Sequence, residues 1–300
     1  MATNPAIAGM TGEMSMLNGL TPIGEPYRIG RWHRDLFARH GYVHELGAAV
    51  KRALKGRRDG PRFVIYGRAR SGSTLLVKLL EQIPDIHCRG EALHFGVLGP
   101  RAHLNRLADL RKAPVHGCKL LSYQLVEVQR MRSVGAFMQG LAEDGFVLIH
   151  LTRGTLAQAT SLSVAQQTDR YHAARESISS RAPVRLDPET FVRQTRMQLG
   201  LLEMERAALA GLPTLEVRYE RDLLPAEAHQ GAVDRICARL GARSQPVRSP
   251  LRKLLPIRFE EVVANADEVR EAMLRAGLDD VFDEAEAHRH GLDPAAIAAQ

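Results

Sequence analysis

Cysteine is scarce in this chain: Cys88, Cys118 and Cys237 are the only three among 300 residues. They are too few and too scattered for a disulfide framework or a zinc site, so reduced thiols of a cytoplasmic protein are expected. Aromatic residues make up only 5%. No recognition helix, zinc finger or RNA-binding motif is present to place bases, and a nucleic-acid partner is not expected. No apolar run approaches the roughly 18–20 residues that a membrane span needs. Met1 to Leu20 has neither a basic stretch nor a sustained apolar core, so no secretory signal is expected. Internal repeats and low-complexity tracts are also missing, which leaves a single domain as the simplest count.

What the chain does have is a globular balance, 45% hydrophobic and 25% charged, with a net charge of +7. The sequence pI near 9.6 favours an anionic ligand or partner. Residues 1–60 divide into a Gly-, Met- and Thr-rich arm and a basic helical pattern from Arg34 to Leu54. The run Lys55-Gly56-Arg57-Arg58-Asp59-Gly60 then reads equally as a solvated turn or an anion-binding patch. An arm of this kind can swap between the subunits of a homo-oligomer.

From Pro61 onward, apolar strand patterns alternate with helical ones. Strands are expected at Phe63–Tyr66, in a short segment ending at Glu91, and at Val115–Leu120, Phe146–Leu151 and Thr214–Tyr219. Helices are expected at Gln124–Leu141, Thr155–Thr168 and Pro188–Leu209, with two more after Tyr219. Asp187 followed by Pro188 is a helix start signal. Short apolar strands separated by helices predict an α/β fold over residues 61–300, a three-layer α/β/α sandwich around a central parallel sheet. In such a sheet the ligand lies beyond the carboxyl ends of the strands.

At the end of the first strand stands Gly67-Arg68-Ala69-Arg70-Ser71-Gly72-Ser73-Thr74, leading into a helix with Leu75, Leu76, Leu79 and Leu80. The spacing is that of a nucleotide-binding P-loop, G-x-x-x-x-G-K-S/T, with serine where the lysine belongs. Free N–H groups at a helix N-terminus form an anion cradle. Arg68 and Arg70 supply guanidinium forks, and Ser71, Ser73 and Thr74 supply hydroxyls, suited to a group with several equivalent oxygens. The loop fits an oxyanion better than conventional ATP hydrolysis.

Three further clusters fall at strand ends. Glu91 ends the short second strand, where a carboxylate near an oxyanion site suits a general base, although a surface pairing with Arg89 reads as well. His94 is a second candidate base. Lys119 lies within an apolar strand, where an unpaired ammonium is costly, so it is expected to reach solvent or a bound anion. The strand 146–151 runs into Thr152-Arg153-Gly154, where a phosphate-hydrolysing enzyme would hold a magnesium-binding aspartate. Ser161 follows Arg153 two turns into the next helix, and the two can clamp a second phosphate. No metal site is expected.

The loop RSGSTLL, the downstream Gly90-Glu91, the strand Gly117-Cys118-Lys119, and Thr152-Arg153 with Ser161 eight residues later resemble the bacterial carbohydrate-type sulfotransferases. These include the rhizobial Nod-factor and mycobacterial trehalose enzymes, which use 3′-phosphoadenosine-5′-phosphosulfate (PAPS) and release 3′-phosphoadenosine-5′-phosphate (PAP). The resemblance covers residues 62–170 and continues more weakly through Val217-Arg218-Tyr219-Glu220 and 253–273. It implies that Arg70, Ser71, Gly72, Ser73 and Thr74, with Arg68 and Leu75 beside them, bind the 5′-phosphosulfate. It implies also that Arg153 and Ser161 bind the 3′-phosphate, that Glu91 is the general base, and that Lys119 stands near the transferring group. Arg252-Lys253-Leu254-Leu255 is only a loose stand-in for the RKGxxG segment of the cytosolic animal enzymes.

The acceptor implied is a hydroxyl-bearing small molecule, glycan or glycolipid, with residues 170–210 as the acceptor-side insert. Arg170, Tyr171, His172 and Arg175 within it suit an acidic or sugar acceptor and suit a solvated helix face equally. Two other readings share the same motifs: a P-loop small-molecule or nucleotide kinase, and an inactive PAP-binding protein.

Overall fold

A computed structural model of the chain describes residues 42–43, 45–54, 59–110, 113–167, 183–249 and 258–289. The expected N-terminal arm, Lys55 to Arg58, Arg170 to Arg175 and Arg252-Lys253 lie outside the described residues. Five strands form one sheet: β1 (Arg62–Gly67), β2 (Ile86–Glu91), β3 (Val115–Leu121), β4 (Phe146–Thr152) and β5 (Thr214–Arg218). Their order is β2-β3-β1-β4-β5, and every pairing is parallel. Parallel strands need crossovers, supplied here by α1 (Ser73–Leu80), α2 (Pro100–Asp109), α3 (Val134–Glu143), α4 (Thr155–Gln167) and α5 (Pro188–Leu209). After β5 come α6 (His229–Leu240), α7 (Phe259–Val262), α8 (Ala266–Arg275) and α9 (Asp280–Arg289). The α/β/α sandwich around a central parallel sheet is therefore present as expected.

The two faces follow from the period-2 alternation of each strand. Phe63, Ile65, Ile149, Leu151 and Val217 pack on α1 through Leu76, Leu79 and Leu80, and on α6 through Val233, Ile236 and Leu240. Val64, Tyr66, Cys118, Leu120 and Leu148 face the opposite way, onto Leu104 and Leu107 of α2, Met138 and Leu141 of α3, and Ala208 and Leu209 of α5. All residues of β1 and β3 are buried, as strands covered on both faces must be. A separate apolar cluster joins α4 and α5 to the last three helices, with Phe259 touching Phe191 and Phe282 at ring distances of 5.7 and 5.6 Å. No described helix is long and apolar enough to cross a membrane.

Two differences from the sequence reading have local causes. The helical pattern at 124–141 is broken into a wide turn, Gln124–Val128, and α3. Gln129 N bonds back to Gln124 O at 2.8 Å, Arg130 takes φ 51°, and Ser133 then caps α3 by accepting from Ala136 N at 3.1 Å. After Tyr219 the described residues hold four α-helices instead of two, because α7, α8 and α9 are short and closely spaced. The part of the expected insert from 188 onward is α5, whose start Asp187 caps by accepting from Thr190 N at 2.8 Å.

Within the sheet, Gly117 stands opposite Phe63 across the β1–β3 pairing. A Cβ at 117 would lie 2.0 Å from that ring, so the phenyl occupies the space that a side chain would need. Gly117→Ala is expected to lower the urea midpoint by overpacking worth about 1–3 kcal/mol. Phe63→Leu in the same chain should recover part of that loss, and strictly additive effects in the double variant would contradict the contact.

Candidate active site

The loop after β1 departs from ordinary backbone at two residues. Gly72 has φ 92°, which glycine tolerates freely, while Arg70 has φ 64°, uncommon for a residue with a side chain. This left-handed pair turns the chain sharply into α1. Gly72 also has no room for a side chain, since a Cβ there would lie 2.5 Å from the Tyr219 ring. No side chain caps α1, so its first-turn N–H groups keep their capacity for a ligand. Ser71 Oγ is buried without a hydrogen-bond partner. Ser73 is buried, Thr74 exposed and Leu75 half-buried.

Arg68 differs from its neighbours. It is 1% exposed, with its guanidinium turned into the interior. Nη2 donates to Arg153 O at 2.8 Å, and Nη1 donates to Gln198 O at 3.1 Å and Thr155 Oγ1 at 3.3 Å. Glu205, fully buried on α5, lies 3.9 Å from its Nε. One cation thus ties the first loop to the loop after β4 and to α5. Gln158 adds a second tie by donating to Ala69 O at 3.0 Å.

Arg70, Arg153 and Ser161, far apart in sequence, come together. Arg70 Nε donates to Ser161 Oγ at 3.0 Å, and Arg153 Nη1 donates to Arg70 O at 2.9 Å. The Arg153 guanidinium lies over the Tyr219 ring, 4.3 Å from its centroid, so its plane is fixed by a cation–π contact. Tyr219 opens a wide turn, Tyr219–Leu223, closed by Leu224 N donating to Tyr219 O at 2.7 Å. Glu220 in that turn accepts from Gly154 N at 3.0 Å and steadies the backbone beside Arg153. Two cationic spots therefore sit side by side at the carboxyl end of the sheet.

Glu91 and Lys119 form a second cluster. They face each other across β2 and β3, at a register shift that follows Arg89. Lys119 Nζ lies 3.0 Å from Glu91 Oε1, and Gln124 Nε2 donates to Glu91 Oε2 at 2.6 Å. Lys119 is buried, which its carboxylate partner makes tolerable. His94 is exposed, and its ring Nδ1 lies 2.7 Å from Glu91 O, so it is tied to the backbone of the residue it rivals as base. Lys119 also pairs in register with Ile65, which sets the pair beside β1 two residues before the loop. Glu91 is two strands from β1, roughly 10 Å at ordinary strand spacing.

Sequence reasoning missed three contributors. Tyr219 is the platform under Arg153, legible only once the turn after β5 is folded back over the loop. Gln124 orients Glu91, and the helical reading of 124–141 hid its position at a strand end. Glu205, which also meets His150 Nε2 at 3.2 Å, sits mid-helix with no local signal of burial. Among the described residues no three His, Cys, Asp or Glu side chains gather as a metal site would require.

No protein-family model and no curated protein matches the chain. Among solved structures, a sulfotransferase from Alicyclobacillus acidocaldarius is similar with a TM-score of 0.47 and 17% identity, over 80% of this chain and 99% of that one. Mouse sulfotransferase SULT7A1, solved with PAP, gives a TM-score of 0.41 and 11% identity, over 70% of this chain and 67% of that one. Likenesses this distant leave the weight on the geometry above.

The cluster has an alkaline signature. Burial, with the Glu91 carboxylate second, pushes the Tyr123 phenol from 10.0 up to about 12. The folded state then keeps a proton that the unfolded chain gives up near pH 10, so stability falls as pH rises between these values. Tyr66, held higher chiefly by burial and then by Glu205, adds to the same loss. Urea denaturation at pH 9 and pH 11 should show the loss, and Tyr123→Phe should reduce it by about 1 kcal/mol or more. An unchanged pH slope in that variant would contradict the assignment.

Proposed function

We propose that the chain is a sulfotransferase that moves a sulfuryl group from PAPS to a hydroxyl of a small-molecule, glycan or glycolipid acceptor. The observation that carries this reading is the convergence of a lysine-free oxyanion loop with the joined Arg70, Ser161 and Arg153, and with the Glu91–Lys119 pair nearby. PAPS carries anionic groups at both ends of its ribose, and two adjoining cationic spots are what holding it requires. Ser71 Oγ and Arg153 Nε are buried atoms without hydrogen-bond partners, an arrangement that costs free energy unless an anion completes it.

In this reading the N–H groups from Ser71 to Leu75, the loop hydroxyls and Arg70 hold the 5′-phosphosulfate, while Arg153 and Ser161 hold the 3′-phosphate. Arg68 acts from beneath, fixing the loop through its interior bonds. The donor supplies a sulfuryl group on a phosphate leaving group, displaced in line with charge spread over its oxygens. Glu91 takes the acceptor hydroxyl's proton as that oxygen bonds to sulfur. The bond from sulfur to the bridging oxygen breaks, and its electron pair leaves with PAP. A carboxylate has about four lone-pair positions, and Lys119 and Gln124 use two, which leaves room for the acceptor. A proton arriving on Glu91 weakens its hold on Lys119, whose ammonium then offsets the charge on the departing oxygen.

Calorimetric titration with PAP, against ATP and magnesium, tests the donor class. Micromolar PAP binding without ATP binding is expected, whereas ATP binding, or binding of neither, would sink the reading. Arg153→Ala should weaken PAP by about ten- to a hundredfold, the loss of one charge-assisted contact; unchanged affinity would remove Arg153 from the site. Glu91→Gln should lower turnover by about 10²–10⁴-fold with PAP affinity held. Turnover near wild type in that variant would leave the proton to another group.

A further inference from the structure

The helical residues 45–54 are amphipathic, with Glu45 and Arg52 turned toward α2. Glu45 accepts from Leu98 N at 2.8 Å and Gly99 N at 3.1 Å, and pairs with Arg106 at 2.6 Å, setting a carboxylate at the start of α2. Arg52 donates to Asp109 at the other end of α2, and Ala48 is buried between them. Glu45, Ala48 and Arg52 thus anchor the segment on one side.

The opposite side is apolar and, among the described residues, uncovered. Val43, Leu46, Val50 and Leu54 fall within an arc of about 80° at 100° per residue. Leu46 is 67% exposed and Leu54 82% exposed. Among the described residues seven large apolar side chains are exposed, and five of them, Tyr42, Val43, Leu46, Val50 and Leu54, belong to this segment. Concentration in one patch marks an interaction surface, where scattered single residues would not.

Charge identifies the occupant. Residues 28–58 contain nine Lys and Arg against two Asp and Glu, a net +7, and the whole chain also carries +7. The remainder is balanced, so the entire excess of positive charge lies in the stretch that contains this helix. A second copy would set one such excess against another, which is repulsive. Nucleic acid would meet the charge but leave the aliphatic row in water.

We propose that this face docks on an anionic lipid bilayer. The apolar row enters the boundary between headgroups and acyl chains, and the basic stretch is drawn to the negative surface. The protein then lies on the membrane by a helix that is already formed and held by ion pairs. This inference stands apart from the sulfotransferase reading, since the face does not overlap the loop residues.

The test is co-sedimentation of the full chain with vesicles of phosphatidylserine and phosphatidylcholine in equal parts, against phosphatidylcholine alone. The wild type is expected to bind the mixed vesicles and to be released by high salt. Leu46→Gln with Leu54→Gln, which keeps helix propensity, should reduce binding about tenfold or more with an unchanged melting curve. Equal binding to both vesicles, no binding to either, or full binding by the variant would overturn the proposal. So would light scattering that shows a lipid-free dimer which the variant splits, because a second copy would then cover the face. PAP titration of the variant should match the wild type, so that failure here is distinguishable from failure of the proposed activity.

Discussion

A guanidinium without water must find fixed oxygens, and Arg68 finds them on the three elements that define the site. Its bonds to the carbonyls of Arg153 and Gln198 and to Thr155 hold the loop after β1, the loop after β4 and α5 in one arrangement. Glu205 supplies the counter-charge at 3.9 Å and is shared with His150. Buried ions are costly to desolvate, and removing one partner leaves the other uncompensated. The network therefore penalises any displacement of one loop relative to the other. That rigidity lets two half-buried cations, Arg70 and Arg153, keep a fixed spacing.

Strand order does the rest of the positioning. Because β1 lies at the centre of β2-β3-β1-β4-β5, its loop opens between two different neighbourhoods. On one side β3 and β2 carry Lys119 and Glu91; on the other, β4 and the turn after β5 carry Arg153 and Tyr219. The division corresponds to the two tasks in the proposed reaction, proton removal on one side and anion holding on the other. A change in crossover order would have separated them.

How much of this was legible in the sequence depends on how local each signal is. The three central strands were readable because both-face burial leaves continuous apolar runs, and β3 and β4 end within one residue of expectation. α5 was read correctly at both ends because Asp187 and Pro188 announce its start. The helix expected at 124–141 was not, since apolar periodicity persists through the wide turn and says nothing about Arg130. Arg153 and Ser161 were legible as a pair by resemblance, and Arg70 as part of the loop; that Arg70 bonds to both was not legible, because the contacts join residues 83 and 91 positions apart. The inward role of Arg68 was hidden, because burial of a charge depends on carbonyls supplied by residues 85 and 130 positions away.

The left-handed backbone at Arg70 has a consequence for how this position can change over time. Glycine would relax the turn and gain stability there, yet it would delete the guanidinium that reaches Ser161. Lysine would keep a charge, but would retain the unfavourable conformation and lose the planar fork. No common residue satisfies the backbone and the proposed ligand together, so local stability and the proposed anion binding are in opposition at one codon. Variants selected for heat tolerance alone would drift toward glycine at 70, and those that keep the arginine must recover its conformational cost elsewhere in the sheet.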